Sequence, residues 1–85
     1  MIDVKSAVAA AFTSVRDLYD PEDIRDLILE EVELFEGPQR WVVTLSHARN
    51  LTGMEGFGGH HHRCYKVFTI DAQEGSVCSM KHRDP

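Results

Sequence analysis

Eighty-five residues suit one domain, in which only about 60–65% of the unfolded chain's surface is buried on folding. Such a domain is marginal alone, which makes self-association a natural expectation. The composition, 42% hydrophobic and 27% charged, is that of a globular protein and argues against disorder. The net charge is −5, with no basic stripe, which argues against binding nucleic acid through its phosphates.

The first element is a helix over 4–19. Val4, Ala7, Val8, Ala11, Phe12, Val15, Leu18 and Tyr19 recur at three- and four-residue steps and make one apolar stripe. Asp3 is placed to cap it, its carboxylate accepting from amides of the first turn. Alanines at positions 7 and 11 would let the helix sit close to a sheet. The basic leader and cleavage site of a signal peptide are not seen in the N-terminal residues, and no apolar run approaches the ~20 residues of a membrane span. The expected compartment is the cytoplasm.

Asp20-Pro21 stops the helix. The following segment, 20–36, holds eight acids against one base, Arg25, and so carries −7 of the charge. A solvated face explains such a run, and a docking surface for a basic partner is the sharper alternative. Its periodicity is ambiguous. Ile24, Leu27, Ile28, Val32 and Phe35 fit a helix, whereas Ile28, Val32 and Leu34 fit a strand interrupted by Glu30. The expectation is a short helical turn over 21–26 and a strand over 28–35. Glu36-Gly37-Pro38-Gln39 then turns the chain into a second strand, 40–47, rich in β-branched and aromatic residues. In it Trp41, Val43 and Leu45 share a face assigned to the core; Val42, Thr44 and Ser46 share the other.

Residues 49–62 are expected to form a long, glycine-containing loop, followed by strands over 63–72 and 76–83. A three-residue loop at Gln73-Glu74-Gly75, with Gly75 left-handed, would set Phe68 against Met80 and Ile70 against Cys78. That register puts Phe68, Ile70, Cys78 and Met80 in the core and leaves Tyr65, Val67 and Val77 on the outer face. It also separates Cys64 from Cys78 by roughly 20 Å along the strand, too far for a disulfide. The fold class is therefore α+β: one long N-terminal helix packed on a curled antiparallel sheet of three to four strands.

The order of elements, and the closing Ile-Asp-x-x-x-Gly-x-Val hairpin of Ile70 to Val77, resemble the small bacterial PepSY-like, cystatin-like domains. The resemblance implies a non-enzymatic domain, in some members an inhibitor or folding aid for peptidases. It implies no functional residues, because the matching positions are structural.

The one chemically loaded cluster is His60-His61-His62-Arg63-Cys64. In strand geometry His60, His62 and Cys64 alternate onto one face, where imidazoles and a thiolate suit Zn²⁺. His47 is a candidate fourth ligand. Adjacent imidazoles also make a patch that responds to pH. The glycines end in histidines rather than Gly-Lys-Ser/Thr, which excludes a P-loop. Cys64 with a histidine is the one pairing available for nucleophilic catalysis, and a sheet with one helix offers little concavity for it.

The reading these features favour is a cytosolic, non-enzymatic protein-interaction module of binding, inhibitory or immunity type, without a cofactor. It would act through its open sheet face or edge, with Tyr65, Val67, Val77 and Phe57 as candidate contacts and a homodimer as one outcome. The alternative is a zinc-binding or metal-sensing domain using His60, His62 and Cys64.

Overall fold

The computed structural model describes residues 1–21, 24–49 and 63–83. These residues form one helix, α1 (Val4–Leu18), and four strands: β1 (Ile24–Phe35), β2 (Arg40–Arg49), β3 (Arg63–Asp71) and β4 (Val77–Arg83). The strands form one antiparallel sheet in the order β1-β2-β3-β4, with α1 on one face.

The cap on α1 is made as its sequence requires: Asp3 Oδ1 accepts from the Ser6 amide at 2.8 Å. At the other end the Tyr19 amide closes on the Val15 carbonyl at 3.0 Å, and the backbone turns extended at Tyr19 before Pro21. Ala7, Ala11 and Val15, one turn apart, form the fully buried centre of the stripe. Val4 and Leu18 lie off that centre and are exposed. The two alanines bring the helix down onto Val43, Leu45, Phe68 and Ile70, all fully buried in the same cluster. Each large aliphatic or aromatic side chain so buried contributes about 1.5–3 kcal/mol.

Ile2 ties the N-terminus across the sheet's turn end. Its amide donates to the Ala72 carbonyl at 2.7 Å, and its carbonyl accepts from Trp41 Nε1 at 3.2 Å. The Ala72 amide in turn donates to the Gln39 carbonyl at 3.2 Å. Helix start and both hairpin turns are thereby joined at one end.

The structure corrects the expected helical turn over 21–26. Ile24 and Arg25 already pair with Arg49 and Ala48, so β1 begins before the expected residue 28. Two irregularities, between Arg25 and Ile28 and between Leu29 and Glu31, each insert one extra residue. Asp26 takes a left-handed φ of 53° in the first of them. The bulges set Ile24, Leu27, Leu29, Val32 and Leu34 toward the helix side at steps of three, two, three and two. That mixed step imitates a helical period in a strand.

The register of the last hairpin is also corrected. The Asp71 amide donates to the Ser76 carbonyl at 2.8 Å, enclosing a four-residue loop, and Gly75 is left-handed with φ 78°. Ile70 therefore pairs with Val77, whereas Phe68 pairs with Met80 and Thr69 with Ser79. Cys78 is the extra residue of a bulge. It is exposed rather than in the core, and Val77 is drawn opposite a core residue rather than onto the outer face. A four-residue loop alone would have turned the apolar residues outward; the bulge restores them.

Candidate interaction face

The register lays out the sheet's second face, turned away from α1, in cross-strand rows. Ile28, Ser46, Tyr65 and Arg83 make one row, Glu31, Thr44, Val67 and Lys81 the next, and Glu33, Val42, Thr69 and Ser79 a third. Phe35, Arg40 and Asp71 complete the turn end. Among the described residues no second layer packs on this face. Its middle is apolar and hydroxylic, and its margins are charged: Glu31 and Glu33 on β1, Lys81 and Arg83 on β4, all exposed.

Local structure sets the relief of this face. On β2 the side chains are small, and Thr44 and Ser46 are almost fully buried. On β3 they are large. Arg63 lies back across β2, Nε donating to Ser46 Oγ at 3.1 Å while its terminal nitrogen donates to the Asp26 carbonyl in the β1 bulge. The Arg83 guanidinium stands 5.8 Å from the centre of the Tyr65 ring, a cation–π contact that fixes the ring. At the turn end Arg40 and Asp71 are direct cross-strand partners. The Asp71 carboxyl is held below its usual range by the amides of Gln73 and Glu74, with a smaller contribution from Arg40.

Tyr65 and Val67, two of the expected contacts, stand on this face and are half-buried. Val77 does not join them, for the reason given above. Phe57, His60 and His62 lie outside the described residues. Cys64 is on the opposite, helix-side face, where it pairs directly with His47. Around them are Tyr19, whose ring centre is 6.5 Å from that of His47, and Lys66, whose Nζ is 5.6 Å from the Tyr19 ring and 3.3 Å from His82 Nδ1. Among the described residues no three His, Cys, Asp or Glu side chains gather as metal ligands.

Two hollows flank the helix, of about 360 Å³ against β1 at Val8, Leu29 and Val32, and about 350 Å³ at Val15, Tyr19 and Leu27. The described residues lining them include no cysteine, histidine or carboxylate. Among the described residues no helix is long and apolar enough to cross a membrane.

Alternation in β4 already places Lys81 on this face with Ser79. Sequence reasoning missed Ile28, Glu31, Phe35 and Arg63; alternation in β3 could have found Arg63, since it shares parity with Tyr65. The β1 residues carried no such signal, because their facing depends on the two bulges. Comparison with protein-family models, curated proteins and solved structures finds no match for this chain.

Proposed function

We propose that this chain is a cytosolic, non-enzymatic protein-interaction module acting through the open face of its sheet. The observation that carries the reading is a face on which no second layer packs among the described residues, with Ile28, Val42, Tyr65 and Val67 between charged margins. Apolar and aromatic residues rimmed by charge are the composition of a contact surface. Both edge strands are poorer templates for a partner's strand. β1 is bulged twice and studded with exposed acids, and β4 is short and bulged at Cys78; such devices discourage strand addition.

Supporting the non-enzymatic part, the two hollows are lined mainly by apolar side chains, with Lys5 in one and Arg16 in the other. Two free cysteines suit a reducing compartment. The order of elements and the closing Ile70 to Val77 hairpin resemble the PepSY-like, cystatin-like domains, and a non-enzymatic role, in some members as an inhibitor or folding aid for peptidases, is what that resemblance implies.

The test is affinity capture from the native host by wild type and by Val67→Arg, followed by mass spectrometry, with both proteins checked for folding by circular dichroism. The reading expects a protein retained by wild type and lost by the variant. Identical captures by two folded proteins that are both monomeric would overturn it.

A further inference from the structure

We infer that the partner seated on this face is a second copy of the chain, related by a two-fold axis lying parallel to the strands. This inference rests on the interaction-face reading and adds to it the occupant and its geometry.

A two-fold axis between two stacked sheet faces can run along the strands or across them. Running along them, it sets β1 over the partner's β4 and β2 over the partner's β3, with each cross-strand row facing itself reversed. Running across them, it sets every strand over its own copy. The charges distinguish the two. In the row Glu31, Thr44, Val67, Lys81, the parallel axis brings Glu31 over the second copy's lysine at position 81, twice by symmetry. In the turn-end row it brings Arg40 over the second copy's aspartate at position 71. The perpendicular axis sets the acidic margin of β1 over itself and the basic margin of β4 over itself, and like charges juxtaposed in this way oppose association.

Relief selects the same axis. In the two middle rows the lower strand, β2, carries Thr44 and Ser46 where the taller strand, β3, carries Val67 and Tyr65. The parallel axis seats tall on low in both halves of the interface, whereas the perpendicular axis sets tall on tall. An isologous interface must be complementary to itself, and this face meets that condition in charge and in height about one axis.

The geometry tolerates the twist of real sheets. Glu31 and Lys81 lie one and a half strand spacings from the axis, about 7 Å. Aligned sheets pack at about −30°, a rotation that displaces each by only ~4 Å, within reach of a Glu–Lys pair. Four strands by the length of β2 give a face of roughly 19 by 33 Å, close to 600 Å² per copy, toward the low end for specific interfaces. A concentration-dependent dimer follows, sought up to high micromolar protein.

The experiment is sedimentation velocity on wild type, Glu31→Lys, Lys81→Glu and the double exchange, from low to high micromolar at low salt. Both sites are exposed, and circular dichroism checks that each variant is folded. The expected result is a dimer in wild type, weakened at least tenfold by either single exchange and restored to within about threefold by the double exchange. A wild type that stays monomeric overturns the inference, as does a dimer indifferent to both single exchanges. A monomeric wild type whose Val67→Arg variant still loses a captured protein removes the second copy while leaving the interaction reading; a monomer with unchanged capture removes both.

Discussion

Gly75 closes on Asp71. Its amide donates to the Asp71 carbonyl at 2.8 Å while its own backbone is left-handed, φ 78°. An L-residue there incurs the cost of a Cβ crowding its own backbone. A Cβ at Gly75 would meet Ile2 at 3.6 Å, ordinary contact, so surrounding space is not the obstacle. Gly75→Ala should therefore destabilise by about 1 kcal/mol, and Gly75→Asn by less, because Asn tolerates this conformation. Urea unfolding of the three proteins checks it; equal stability of Ala and Gly at this position would rule out the left-handed turn.

The bulge beyond that turn separates the two thiols. Cys78 is exposed and Cys64 half-buried. Cys78→Ser should alter stability by no more than about 0.5 kcal/mol, as surface changes do, and a disulfide reagent should label Cys78 before Cys64. A loss well above 1 kcal/mol for Cys78→Ser would place that side chain in the core and refute the bulge.

Legibility in the sequence follows the bulges. Helix α1 and strands β2, β3 and β4 lie within one or two residues of the spans their periodicity marks, because α1, β2 and β3 keep one period throughout and the one bulge of β4 falls at its start. β1 does not. Its helix-side residues step by three and two, so Ile24 and Leu27 read as a helical turn until their pairing with β2 is known. In the β3–β4 hairpin, pattern alone favoured the shorter loop, since a four-residue loop misplaces Val77 unless an extra residue follows. Cys78 is that residue, and nothing in its side chain announces a bulge. The face that carries Tyr65 and Val67 was legible by alternation. Its charge pairing was not, because setting Glu31 level with Lys81 requires the register across all four strands.

Arg63 spans three strands, from β3 over Ser46 of β2 to the backbone of Asp26 in β1. Lysine cannot reproduce the two divergent donors. Arg63→Lys and Ser46→Ala should each cost about 0.5–1.5 kcal/mol, and the double variant should cost less than their sum by roughly 0.5 kcal/mol or more. A double-mutant cycle by chemical denaturation measures this. Strict additivity would show that the two side chains do not share the contact.

Acid should weaken the fold through two caps. Asp3, chiefly through the Ser6 amide, and Asp71, chiefly through the Gln73 amide, have carboxyls held below the ordinary value of 3.8. A carboxyl whose folded pKa is depressed binds its proton less readily folded than unfolded. Its contribution is therefore present above 3.8 and lost as pH falls through the folded value. Asn at either position keeps an acceptor oxygen but cannot titrate. The difference in melting temperature between wild type and the Asp3→Asn, Asp71→Asn double variant should shrink as pH falls from about 5 to about 2, because the stabilisation supplied by the two carboxylates disappears over that range. A difference that stays constant across it would mean that neither carboxylate is stabilised by its turn amides.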